Sequence, residues 1–240
     1  MRKSIVCVLI MLCALNLFSS CDDGIARTWN LSKIKTEEVP GGRPKFISGP
    51  LFMTWEASDD AVLGFFKVTG IPTMVVPMGS SKLAQQLKDI TFQKDGNVVV
   101  TYAVPSQDGQ EQVEPQWKKS EPGIVTYKVK DDQILFFPNI DNLLATIPSD
   151  SLKNDPTLQK AIDMLKSGIP VNYKIEGNTA KLFVDKSFIE NIFPLVLTGL
   201  DKVDASAMGG MGNMIKGLLQ GIPAVLQKTT KLEIGLNLEK

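Results

Sequence analysis

The chain has 240 residues, and its 26 basic residues balance 26 acidic ones. A net charge near zero gives no basic surface of the kind that nucleic-acid binding requires, so no nucleic-acid partner is expected. There is no histidine, which removes the commonest general base and the commonest metal ligand. We therefore expect no metal or other cofactor, and an enzyme is the least favoured class.

The N-terminus has the layout of a bacterial secretory signal. Arg2 and Lys3 precede an apolar run over residues 5–17, which suits a signal peptide and is too short to span a bilayer. The small residues Ser19 and Ser20 then lead to Cys21, so that the segment resembles a lipobox. We predict a signal peptide over residues 1–20.

Cysteine usage supports lipidation of Cys21. Cys7 and Cys13 lie inside the apolar run and leave with it, so the mature chain keeps one cysteine and can form no internal disulfide. Acyl chains on Cys21 would anchor the protein to a membrane through a tether at residues 21–26.

The two residues after Cys21 leave the final membrane open. Asp22 and Asp23 fit inner-membrane retention in enteric bacteria, surface export in Bacteroidetes, or a simple solvated tether. We predict a lipid-anchored protein of the cell envelope.

Apolar alternation and turn signals predict the elements in chain order. In the first half, strands are predicted at 27–35, 46–55 and 63–68. A short helix that Ser80 and Ser81 cap follows and ends at Gln86. Two hairpins come next: 89–93 pairs with 97–104 around Asp95-Gly96, and 123–130 pairs with 133–137 around Asp131-Asp132. The second half gives helices at 142–147, 156–166, 187–200 and 213–227, a hairpin of 171–175 with 180–185, a flexible joint at 205–212 and a closing strand at 231–238.

Strands therefore bracket a helical region, and the last strand returns to the sheet. That order favours an antiparallel barrel, whose closure needs both ends of the chain in one sheet. We predict a mainly β fold, a barrel of about 8–10 antiparallel strands. It forms a single domain over residues 27–240, with inserted helices at about 141–228.

Three segments resemble a known family. Thr28-Trp29-Asn30-Leu31, residues 90–96 and residues 125–129 resemble the lipocalin-like (calycin-like) lipoproteins of Bacteroidetes, many of unassigned function. The resemblance covers about residues 25–140 and the last strand. It implies a lipocalin-like barrel with an apolar interior, with Trp29 plugging one end, although Arg27 stands where the family has glycine. It also implies that the anchor lies in the outer membrane, on its periplasmic or surface face.

Motifs that match catalytic sites are incomplete. Residues 212–217 have the glycines of a phosphate loop, but Leu218 and Leu219 occupy the required Lys and Ser/Thr positions. Ser32 and Lys35 have the spacing of penicillin-binding enzymes without their partner motifs. Three adjacent acidic pairs are interpreted as solvated turn residues, with a facing pair as in glycosidases as the alternative: Glu37-Glu38, Asp59-Asp60 and Asp131-Asp132.

Large apolar side chains supply the candidate binding residues. We predict that Trp55, Trp117, Met214 and Leu218 contact a ligand. Core packing is the alternative for Trp55. For the helix over 213–227, the alternatives are packing in the core, covering a cavity, or dipping into lipid.

Two functions remain open at this stage. One is a carrier that holds a small apolar or amphipathic ligand inside the barrel. The other is a structural or interaction module that binds a partner protein or a glycan at the cell surface. An apolar cavity of a few hundred Å³ would favour the carrier, and a filled interior would favour the module.

Overall fold

The computed structural model describes residues 24–104, 115–145, 155–201 and 212–240. Its strands are β1 (Thr28–Leu31), β2 (Lys35–Glu37), β3 (Lys45–Ser48), β4 (Leu51–Ala57), β5 (Val62–Leu63), β6 (Phe66–Lys67), β7 (Leu87–Phe92), β8 (Asn97–Ala103), β9 (Trp117–Lys119), β10 (Val125–Lys130), β11 (Gln133–Pro138), β12 (Ile169–Glu176), β13 (Thr179–Asp185) and β14 (Thr229–Glu239). Its helices are α1 (Ile71–Gln86), α2 (Ile140–Ala145), α3 (Pro156–Ser167), α4 (Lys186–Asp201) and α5 (Gly212–Gln227).

Eight antiparallel strands close into a barrel in the order β1-β7-β8-β10-β11-β12-β13-β14, and β14 returns to β1. The closing contact pairs Leu31 with Leu238. β4 pairs with the same edge of β14 beyond β1, and β9 pairs with the far end of β8. The predicted fold class, an antiparallel barrel with helices inserted between strands, is therefore confirmed.

The tight turns and the C-terminal helices lie at opposite ends of the barrel. The β10–β11 and β12–β13 turns share one end with the chain terminus, where the amide of Lys240 donates to the carbonyl of Asn178 at 3.0 Å. α2 and α3 connect β11 to β12 at the other end, and α4 and α5 connect β13 to β14. We call these the turn end and the helical end.

Trp29 fills the interior of the barrel at the turn end. Its side chain is completely buried, and its indole Nε1 donates to the carbonyl of Ile25 at 3.0 Å. The guanidinium of Arg27 lies 5.3 Å from the centre of the indole ring. Trp29 therefore closes the turn end of the barrel.

Both hairpins predicted in the first half of the barrel are confirmed. Gly96 has a φ of +86° in the β7–β8 turn, and the carboxylate of Asp95 accepts a hydrogen bond from the amide of Asn97 at 3.0 Å. That hydrogen bond lowers the pKa of Asp95. Asp131 takes a φ of +55° in the β10–β11 turn, a conformation that aspartate tolerates better than most residues.

The N-terminal strands are shorter than predicted. The predicted strand over 27–35 separates into β1 and β2, and the one over 46–55 separates into β3 and β4 at Gly49-Pro50. Proline lacks the amide that would continue a strand ladder. The predicted strand over 63–68 is a small hairpin, β5–β6, that turns at Gly64 with a φ of +62°.

Helix α1 is more than twice as long as the helix predicted there, and Ser80 does not cap it. Ser80 is completely buried in the middle of the helix, and its Oγ accepts a hydrogen bond from the amide of Leu51 at 3.2 Å. α1 packs against both β4 and β7, two strands with no pairing to each other among the described residues. The helix thus bridges β4 and β7, and the local sequence does not reveal this long-range contact.

The helices predicted as one insertion form two separate connections, because β12 and β13 lie between them in the barrel. The predicted start of α3 is confirmed, since the carboxylate of Asp155 accepts hydrogen bonds from the amides of Thr157 and Leu158 at 2.8 and 3.3 Å. The predicted joint at 205–212 lies, up to residue 211, outside the described residues. Within the described ranges, no helix has the length and apolar character needed to cross a bilayer.

Candidate ligand-binding cavity

An apolar cavity of about 410 Å³ lies inside the barrel toward the helical end. Strand pairing places Ile90 opposite Val100 and Val184 opposite Ile234, so that these residues share the inward face. Ile124 also lines the cavity and is 42% exposed. The cavity therefore reaches the surface beside the connection between β9 and β10. Its lining includes Val98, Val100, Val125, Phe136, Val171 and Val184.

The cavity offers almost no polar group to a ligand. Ser120 is the one polar side chain among the described residues that line it, and its Oγ already accepts a hydrogen bond from the amide of Val100 at 3.0 Å. A ligand with buried polar atoms would lose hydrogen bonds to water without replacing them. The lining therefore favours a hydrocarbon group.

The size of the cavity suits a small molecule. An apolar cavity of roughly 150 Å³ in another protein holds one benzene, and this cavity has more than twice that volume at about 410 Å³. It also lies within the usual range of ligand sites, about 300–1,000 Å³.

Packed side chains close the cavity at the turn end of the barrel. Trp29, Ile134 and Leu238 are all completely buried there, and Phe92 packs in the same cluster while also lining the cavity. The rings of Phe92 and Tyr127 meet edge to face with their centres 5.1 Å apart. This packing closes the turn end, so the opening for a ligand is the one beside the β9–β10 connection, where Ile124 is exposed.

Trp55, a predicted ligand contact, packs in a second core cluster. It is 8% exposed and packs with Val225 and Leu226 of α5. Ile234 lines the cavity and also packs against this cluster. The apolar face of α5 is thus partly used for ordinary packing at the helical end of the barrel.

Replacing Thr229 with valine is expected to destabilise the protein through Trp55. Thr229 Oγ1 accepts from the indole Nε1 of Trp55 at 2.9 Å and donates to the carbonyl of Val225 at 2.9 Å. The indole Nε1 of Trp55 would lose its partner, which costs about 1–3 kcal/mol, whereas the carbonyl of Val225 keeps the amide of Lys228 at 2.9 Å. Chemical denaturation followed by circular dichroism measures the loss. Thr230→Val is the control, since its exposed hydroxyl bonds only the carbonyl of Glu56; equal losses in both variants would contradict this role of Thr229.

Trp117 and Leu218, two other predicted contacts, are not among the described residues that line the cavity. Trp117 is 37% exposed on β9, opposite Ala103. Leu218 lies beside Gly64 at the tip of the β5–β6 hairpin. Met214 belongs to α5, and its side chain is outside the described part of the chain. A ligand contact by Trp55, Trp117, Met214 or Leu218 stays a prediction.

The three acidic pairs are exposed. The carboxylate of Asp60 accepts from Lys228 Nζ and from Ser58 Oγ, each at 2.6 Å. These two hydrogen bonds, chiefly the one from Lys228, lower the pKa of Asp60 to about 2. Asp131-Asp132 forms a turn, and Glu37-Glu38 lies at the end of β2. Across the described ranges, no three cysteine, aspartate or glutamate side chains lie close enough together to hold a metal ion.

Sequence reasoning named the conspicuous aromatic and methionine residues and missed the aliphatic lining. Val98, Val100, Val125 and Val171 occupy alternate positions of strands that were predicted correctly, so their inward orientation was available as a signal. Alternation does not distinguish a residue that packs against another from one that faces an open space. Only the assembled barrel makes that distinction.

The fold and the cavity together define a closed antiparallel barrel with an apolar interior space. Comparison with protein-family models, with curated proteins and with solved structures finds no match to this chain. Its function is therefore inferred from the geometry of the chain itself.

Proposed function

We propose that this protein is a lipid-anchored binding protein of the cell envelope that holds a small apolar or amphipathic ligand inside its barrel. The observation that carries the proposal is the cavity of about 410 Å³ with a single polar side chain in its described lining. A concave, mostly apolar space of that size is the usual form of a small-molecule site.

The N-terminal sequence supports the anchored location and gives it an orientation. Ile25 is buried at the turn end, four residues after Cys21. An extended chain spans at most about 3.6 Å per residue, so an acyl anchor on Cys21 would hold the turn end within roughly 15 Å of the membrane. The helical end of the barrel would then face away from that membrane.

The segments around Trp29, residues 90–96 and residues 125–129 support membership of the lipocalin-like lipoproteins of Bacteroidetes, and with it an outer-membrane location. The buried Trp29 at the turn end is consistent with that family's barrel plug. This assignment remains part of the proposal.

The alternative function, an interaction module, has support of its own on the outer surface. Phe65 is fully exposed at the tip of the β5–β6 hairpin, and Phe66 is 47% exposed beside it. Met78 on α1 is 75% exposed. Neighbouring exposed apolar side chains such as Phe65 and Phe66 are frequent where proteins bind partners.

Replacing Val125 with tryptophan is expected to weaken ligand binding at least tenfold. Val125 lines the cavity, and an indole there would fill space that the ligand needs. We would measure binding of dodecanol, an uncharged probe, by native mass spectrometry of the full chain released from detergent micelles. Thr126→Trp is the matched control because Thr126 is the next residue of β10 and is exposed on the opposite face.

Saturable binding of dodecanol to the wild type and to Thr126→Trp, with loss in Val125→Trp, supports the carrier. No binding of dodecanol to the wild type, or equal binding to all three proteins, contradicts it. Cross-linking that captures a partner through Phe65 would then favour the interaction module.

A further inference from the structure

We propose that the mouth of the cavity selects a negatively charged head group, with Lys118 as the residue that recognises it. The ligand would then be an anionic amphiphile, with a hydrocarbon tail in the barrel and a group such as a carboxylate at the rim. This inference rests on the proposed function of the barrel and names the ligand class for the same site.

Strand pairing places Lys118 on the cavity side of the sheet. Val100 and Ser120 both line the cavity, and the amide of Ser120 donates to the carbonyl of Val100 at 2.9 Å. Lys118 precedes Ser120 by two residues and pairs with Tyr102, which follows Val100 by two. Side chains two residues apart on a strand share a face, so all four lie on one face.

That face points toward the interior of the barrel. Leu87 pairs with Tyr102 on the other side of β8, and a register shift between Leu87 and Asp89 puts these two residues on opposite faces. Leu87 packs against the buried core cluster of the barrel. Lys118 is exposed, which places its ammonium at the solvent boundary rather than in the apolar interior. Tyr102 adds a phenolic hydroxyl on the same face.

The neighbouring lysine lies on the opposite face. Lys119 pairs with Thr101, whose hydroxyl donates to the carboxylate of Asp89 at 2.9 Å. Thr101 and Asp89 therefore mark the outer face of the sheet. Both lysines are exposed, but only Lys118 shares a face with the cavity lining.

Tail and head contribute differently to binding. Each buried methylene strengthens binding about fourfold, so the tail supplies most of the affinity. An exposed ion pair changes an equilibrium by roughly 1.5- to 5-fold, which is enough to select between ligands with identical tails. Reversal of the charge at Lys118 replaces this attraction with a repulsion of similar size. It therefore shifts the difference in binding free energy between a charged and an uncharged ligand by about twice the value of the ion pair.

The test is a competition between dodecanoate and dodecanol, which differ only in the head group. Native mass spectrometry of the full chain gives the ratio of bound acid to bound alcohol. Because doubling the free energy squares a factor of roughly 1.5- to 5-fold, we expect Lys118→Glu to lower this ratio by roughly 2- to 25-fold relative to the wild type while leaving dodecanol binding intact. Lys119→Glu, with the same charge change on the opposite face, should alter the ratio less than twofold.

The outcomes separate this inference from the proposed function. If neither ligand binds the wild type, the carrier function itself fails. If both ligands bind and the ratio is unchanged in Lys118→Glu, or falls equally in Lys119→Glu, the cavity remains a binding site and recognition by Lys118 is overturned. Retained dodecanol binding also shows that each variant is folded.

Discussion

Replacing Gly235 with valine is expected to destabilise the barrel by more than about 4 kcal/mol, the range of the most severe single substitutions. Gly235 lies in β14 between Phe183 of β13 and Phe52 of β4. A Cβ on Gly235 would meet the carbonyl oxygen of Leu182 and would lie 2.6 Å from Cβ of Phe183. The carbonyl belongs to the backbone, so relief of the clash requires separation of β13 from β14.

The two phenylalanine rings explain why a glycine stands there. Phe52 and Phe183 meet with their ring centres 6.1 Å apart and their planes at 64°, on either side of Gly235. The ammonium groups of Lys181 and Lys174 lie 5.5 and 5.7 Å from these two rings. Aromatic side chains beside a strand glycine cover backbone that would otherwise be exposed.

Thermal and urea unfolding of the full chain, followed by circular dichroism, would measure the effect. Gly217→Ala is the control, since Gly217 is exposed in α5 and a Cβ there meets nothing within 4 Å. Alanine in place of a helical glycine should stabilise the protein by about 0.5–1 kcal/mol. Wild-type stability of Gly235→Val would show that the close approach of β13 to β14 is wrong.

Replacing Cys21 with serine is expected to abolish acylation completely. A thiol is the acceptor that lipoprotein processing requires, and the mature chain predicted here has no second cysteine. Labelling of growing cells with an alkyne-bearing fatty acid, followed by detection on the purified protein, gives an all-or-none result. Loss of the label would support the lipid anchor independently of any ligand in the barrel.

Cys7→Ser and Cys13→Ser provide matched controls within the same leader. Both cysteines belong to the apolar run that is predicted to be removed, so the mature protein of each variant should carry the label at the wild-type level. Continued labelling of Cys21→Ser would place the anchor elsewhere and would remove the basis for the proposed orientation of the barrel.

The elements that could be predicted well are those determined by neighbouring residues. Asp95-Gly96 determines its hairpin because a left-handed turn needs glycine and the aspartate accepts a nearby amide. Asp155 determines the start of α3 in the same local way. α1 could not be predicted over its full length, because Pro77 and Gly79 oppose a helix and packing against β4 and β7 outweighs them.

The sequence by itself determined the alternation of the strands, their antiparallel order and the return of the last strand to the sheet. Only the tertiary structure decided which inward residues pack and which face open space. Trp29 and Val100 follow the same alternation, yet Trp29 is completely buried and Val100 lines the cavity. The difference depends on the volumes of side chains that seven other strands bring into the barrel, and those contacts exist only after the sheet has closed.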